Sequence, residues 1–132
     1  MALNRIYVDE QIENRLRMMK SRTGLTPNLV CRLALCLSLS EKGTPDITLY
    51  SSSQAREFNR YTLLGEWDPL FLALLRERLV SDGLDPVAHL EEQLKAHISR
   101  GVMLLTQRVK QLEDLADLIV ELPERLPESV AS

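Results

Sequence analysis

Residues 27–40 form a run in which almost every side chain is apolar or small, with Leu29, Val30, Leu33, Ala34, Leu35, Leu37 and Leu39 distributed around the full turn of a helix. Thr26 ahead of Pro27 supplies a capping hydroxyl and a proline at the first helical position, and Gly43-Thr44-Pro45 ends the segment. A helix apolar on every side must be enclosed on every side. In a chain of 132 residues that demand is severe, so the run predicts a subunit interface as well as a buried position. Hydrophobic residues make up 45% of the chain but aromatics only 5%, so the core is aliphatic and mostly leucine, a composition that favours helices over sheets.

The segments around this run follow from local pattern. Residues 4–8 alternate as a short strand, with Arg5 and Tyr7 on one face and Ile6 and Val8 on the other. Asp9 caps a first helix whose Ile12, Leu16 and Met19 form an apolar stripe, and Gly24 ends it in the left-handed conformation. The spacing suggests a short strand at residues 47–50, and residues 58–64 read as strand or irregular chain stopped by Gly65. Asp68-Pro69 and Asp85-Pro86 each predict a helix start; the first helix runs to about Val80 and the second to Gly101. Leu105, Val109, Leu112, Ala116 and Ile119 then form the seam of a last helix before an acidic tail at residues 123–132. The expected fold is mainly α. It is one domain over residues 1–132: a strand-helix-helix unit at 4–42, loop and short strands at 43–66, and helices at 67–122.

Charge is unevenly distributed. The net charge is −3, yet residues 1–42 carry seven basic groups (Arg5, Arg15, Arg17, Lys20, Arg22, Arg32, Lys42) against four acidic ones, while the rest is acidic. A basic head points to an anionic partner and an acidic remainder to protein neighbours, although a solvated surface would carry such charges too. Catalytic and metal signatures are missing. His89 and His97 lie eight apart with no second pair for zinc, the glycines are isolated, and the serine run 51–53 has no adjacent histidine. His97-Ile98-Ser99-Arg100-Gly101 reads as a helix C-terminus with favourable charges ahead of a glycine. Cys31 and Cys36, five apart, predict neither a disulfide nor a metal pair, and neither a secretory signal nor a membrane-length apolar stretch is present, so a cytoplasmic protein without cofactor is expected.

Strand, helix, tight turn and helix is the order of ribbon-helix-helix DNA binders, in which strands from two chains pair and enter the major groove. On that pattern Arg5 and Tyr7 face DNA, and the start of the second helix at Thr26 and Asn28 offers free amides to a phosphate. Arg15 and Arg22 lie seven apart on one edge of the first helix, with Lys20 on the other. Arg17, four residues after Glu13, is the weaker contact, and Lys42 completes the basic set.

The run Arg22-Thr23-Gly24-Leu25-Thr26-Pro27-Asn28-Leu29-Val30-Cys31-Arg32-Leu33-Ala34-Leu35 resembles the signature of the DndE family of DNA sulfur-modification proteins. Asn59-Arg60, Thr62-Leu63, Gly65, His97 and Arg100-Gly101 extend the resemblance from residue 4 to about residue 110. It implies a non-catalytic, DNA-binding subunit of the bacterial phosphorothioation machinery, a helical homotetramer with a preference for nicked double-stranded DNA, partnered by the other sulfur-modification proteins. The residues alone leave two alternatives: an adaptor that joins modification proteins without touching DNA, and a ribbon-helix-helix repressor reading bases through Arg5 and Tyr7.

Overall fold

The structure is a computed structural model and describes residues 4–121, with side chains to residue 118; the acidic tail lies outside that range, as does the side chain of Ile119. Strand β1 (Arg5–Val8) buries Ile6 and Val8 and leaves Arg5 exposed. Helix α1 (Glu10–Thr23) starts where the Asp9 carboxylate accepts the Ile12 amide at 3.0 Å, and it ends at Gly24, whose φ of 78° is the left-handed value a glycine adopts without cost. Helix α2 (Pro27–Ser40) follows directly, its start capped by the Thr26 hydroxyl, which accepts the Leu29 amide at 3.4 Å.

Four local readings change. Residues Ile47–Tyr50 form a 3-10 turn, not a strand, because the Asp46 carboxylate takes both the amide and the hydroxyl of Thr48 (3.0 and 2.6 Å). The ambiguous 58–64 stretch divides into the end of strand β2 (Arg56–Asn59) and a short helix, α3 (Arg60–Leu64), where the Asn59 side chain caps Tyr61 and Thr62. Helix α4 (Asp68–Ser81) begins with Asp68 inside it, since that carboxylate is occupied by Arg60 at 3.0 Å. Asp85 closes only a turn, through the amides of Val87 and Ala88, and helix α5 begins later (Leu90–Arg108).

Helix α5 also runs straight through Gly101, so the His97-to-Gly101 cluster is mid-helix and not a C-terminus. A Cβ at position 101 would strike the carbonyl of Ala34; the glycine is there because α2 and α5 cross with their backbones nearly touching. The expected last helix is broken at residues 109–112, where the Asp114 carboxylate accepts the amides of Lys110 and Gln111 (2.8 and 3.1 Å) and starts α6 (Glu113–Glu121).

Strand β1 pairs antiparallel with β2 of the same chain, Arg5 opposite Asn59 and Val8 opposite Arg56. This corrects the two-chain ribbon: the strand-helix-helix order is present, but the strand's partner is internal. Helix α2 occupies the centre, packed most extensively on α5 and also on α1 and α3. The chain thus encloses Val30, Cys31, Ala34, Leu35 and Leu37 itself, and only Leu29 and Cys36 of the apolar run are exposed. Arg32 braces α2 to α3 by donating to the carbonyls of Leu63 (2.6 Å) and Thr62 (3.1 Å), and a Cβ at Gly65 would lie 2.7 Å from its guanidinium. No helix is long and apolar enough to cross a membrane among the described residues.

Candidate nucleic-acid interface

The carbonyl end of α5 is a site of partial negative charge that attracts cations. Three converge there on one buried residue, Thr106. Arg15 donates to its hydroxyl at 3.3 Å, Arg22 to its carbonyl at 3.1 Å and to that of Val109 at 3.4 Å, and Lys110 to the Thr106 carbonyl at 3.0 Å. Arg15 and Arg22 reach the same place because seven residues are two helical turns, which puts both on the α1 edge that packs against α5. Neither arginine nor Lys110 makes an ion pair among the described residues; Asp114, close by, is bonded to the Lys110 backbone amide. Helix α1 also carries exposed Lys20, which makes no ion pair either. Three cations held by one hydroxyl and two carbonyls, with no carboxylate in an ion pair with them, keep their charge for an anion outside.

The other residues read as contacts from the sequence lie elsewhere or are already engaged. Arg5 pairs with Glu57 at 3.0 Å, and Arg17 with Glu13 at 3.0 Å. Tyr7 lines a cleft rimmed by Glu91 and Glu92. Thr26 caps α2, Asn28 is half-buried in its first turn, and exposed Lys42 sits past its far end, where its carbonyl accepts from Arg100 at 3.5 Å. Lys110 was invisible as a site residue in the sequence, because only the fold brings it within reach of Arg22.

A second polar cluster lies at the C-terminal end of α2. Arg100 donates to the Ser38 hydroxyl (2.9 Å) and to the carbonyls of Ser38 (2.8 Å) and Gly43 (2.9 Å). Arg78 donates to those of Leu39 (2.8 Å), Glu41 (2.8 Å) and Gly43 (2.6 Å), with Asp82 balancing its charge at 3.0 Å. Ser38 and His97 meet at 2.8 Å, a hydroxyl–imidazole pair of the kind that activates nucleophiles, but both are fully buried. Burial, with Arg100 and then Arg78 adding repulsion, pushes the His97 pKa down to about 4. Burial likewise pushes the Cys31 thiol up to about 12, which removes it as a thiolate at neutral pH. Among the described residues no group of His, Cys, Asp and Glu could hold a metal ion.

These features define a mainly helical domain with a two-stranded sheet and a cationic edge formed by α1 and the end of α5. The model of the DndE family, described as DNA sulphur modification protein DndE, matches residues 5–113, and the chain belongs to that family. The crystal structure of DndE from Escherichia coli B7A, involved in DNA phosphorothioation modification, is similar at a TM-score of 0.65 and 27% identity, over 80% of this chain and 98% of that one. A glycine-to-lysine double mutant of DndE, also described as involved in DNA phosphorothioation, has a similar fold at a TM-score of 0.63 and 24% identity, over 80% of this chain and 99% of that one. No curated protein matches the chain.

Proposed function

We propose that the chain is a non-catalytic, DNA-binding subunit of the DNA phosphorothioation machinery that binds duplex DNA, nicked duplex included, as a cytoplasmic homotetramer beside the other sulfur-modification proteins. The observation that carries the reading is the meeting of Arg15, Arg22 and Lys110 at Thr106 without a carboxylate ion pair. Lys20 extends the set along α1, and at the start of α2, where Thr26 caps the Leu29 amide and Pro27 has none, the Asn28 amide offers a further phosphate contact. Arg5 and Arg17, each held in an ion pair, and Tyr7 and Lys42, which lie elsewhere, are secondary contacts. A non-catalytic role is supported by the sealed Ser38–His97 pair and the protonated Cys31 thiol. Four copies would present four such edges, so weak single contacts gain from multivalency.

Titration of nicked and intact duplexes at several salt concentrations tests this. Each phosphate contact steepens the fall of log affinity with log salt by about 0.9. Lys20→Gln and Lys110→Gln should therefore each flatten the slope by about that amount, with affinity lost on both duplexes. No binding even at low salt would sink the reading. The adaptor alternative draws on the exposed Trp67, Leu70 and Leu74 at the start of α4 and along it. It predicts capture of the modification proteins without DNA, unchanged by charge reversal at Arg15 and Arg22. The repressor alternative loses its two-chain ribbon to the internal β1–β2 pair.

A further inference from the structure

The register of the small sheet decides which backbone groups of β1 remain open. The Arg60 amide donates to the Asn4 carbonyl at 2.8 Å, and Ile6 stands opposite Phe58. In an antiparallel pair, residues alternate between exchanging hydrogen bonds with the partner strand and pointing those groups the other way. Residues 4, 6 and 8 therefore bond towards β2 and its flanking residues Ala55 and Arg60, and Arg5 and Tyr7 direct their N–H and C=O groups to the opposite edge. Among the described residues nothing takes up those four groups. An open strand edge is a template for another extended chain.

A cleft of about 420 Å³ opens beside that edge. Its walls include Ile6, Tyr7, Tyr50 and Ala96, and its charged lining is Glu91, Glu92 and Lys95, with Glu92 held by His89 at 2.6 Å and Glu91 in no ion pair among the described residues. The volume lies at the lower end of ligand-pocket sizes and suits one or two side chains. Apolar and aromatic walls beside the open Glu91 carboxylate, with two acids against the single cation Lys95, match the stem and head of a lysine or arginine. The cleft and the edge are adjacent because Ile6 and Tyr7 belong to both.

We propose that β1 accepts an extended segment of a partner protein as a third strand, with a lysine or arginine of that segment seated in the cleft under Glu91 and Glu92. Main-chain bonds to Arg5 and Tyr7 supply affinity, and the cleft selects the alternate side chain. Charge favours this occupant over the chain's own tail at residues 122–132, in which Glu124 and Glu128 outnumber Arg125.

The test is an amide NMR titration of the full-length protein with a blocked hexapeptide alternating valine with lysine. The Arg5 and Tyr7 amides should shift and, at saturation, exchange at least about tenfold more slowly. The same peptide with glutamate for lysine should move neither. Tyr7→Pro, which removes the outward N–H and spares the ladder to β2, should abolish the Arg5 shift, and Glu91→Lys combined with Glu92→Lys should abolish both. Shifts elsewhere, or equal response to the glutamate peptide, would overturn the proposal. Protection of both amides in dilute, peptide-free protein would assign the edge to the chain's own tail, and protection that grows with protein concentration would assign it to a second copy. Both outcomes also overturn it. The cleft variants leave the α1–α5 cations untouched, so in their background Lys20→Gln and Lys110→Gln should still flatten the salt dependence of DNA binding by the same amount, and the two readings fail or stand separately.

Discussion

Gly101 and His97, four residues apart on α5, are both determined by what lies across from them and not by their neighbours in sequence. The α2–α5 crossing leaves no room for a methyl group at Gly101, because the obstacle is the Ala34 backbone, which cannot rotate away. Gly101→Ala should destabilise the protein by at least the upper part of the 1–3 kcal/mol range, about 3 kcal/mol, that overpacking usually costs. The midpoint of urea unfolding measures it, and an unchanged midpoint would mean the helices separate freely. His97 is neutral in the folded protein, with its Nε2 lacking a partner among the described residues. Its pKa falls from 6.5 to about 4 on folding, so the unfolded chain binds the proton more readily. The stability this contributes is complete above pH 6.5 and is lost as pH falls from 6.5 towards 4, by about 3 kcal/mol in all. Unfolding midpoints across that window should show the decline, and His97→Gln should flatten it.

Elements bounded by local caps were legible from the sequence. The start and stop of α1 and the start of α2 depend on Asp9, Gly24 and Thr26, each acting within four residues. Where a side chain acts at long range the sequence misled. Glycine after a polar cluster reads as a stop, yet Gly101 belongs to a crossing with a residue on another helix. Asp68 before proline reads as a cap, yet it serves Arg60. The apolar character of α2 was read correctly as a demand for enclosure, but the enclosing surface comes from this chain's own α5, α3 and α1. The arginine pair at the end of α2 belongs to the same class of long-range effect. Arg78→Met and Arg100→Met should each cost about 2 kcal/mol, the value of hydrogen bonds made by a charged donor. Hydrogen exchange should quicken locally at residues 38–43, and a uniform change along the chain would refute this local bracing.

Over the whole molecule, the basic head deduced from the order of charges is not the basic surface in space. Arg5 and Arg17 are partnered, and the cationic edge instead takes Lys110 from the acidic last third of the chain. The exposed Trp67, Leu70 and Leu74 offer an apolar surface for self-association, a role expected of α2. If the tetramer forms through α4, Leu70→Asp with Leu74→Asp should lower the solution mass measured by sedimentation while leaving helical content unchanged. A native mass that stays the same would place the contact elsewhere. DNA binding by such a dissociated form should weaken by more than either lysine variant alone, because multivalency is lost along with affinity.

The pairing of Arg5 with Asn59 also governs the order in which the protein can be made. As the chain leaves the ribosome, its first strand has no partner until β2 emerges, and α2 has no cover on its widest face until α5 follows. Contacts this distant in sequence delay closure and slow folding. Until then the nascent chain exposes its most apolar helix, the state in which aggregation competes with folding. A fragment ending before residue 90 should therefore remain unfolded by circular dichroism, and synthesis of this family member should depend on holding α2 soluble until the last third arrives.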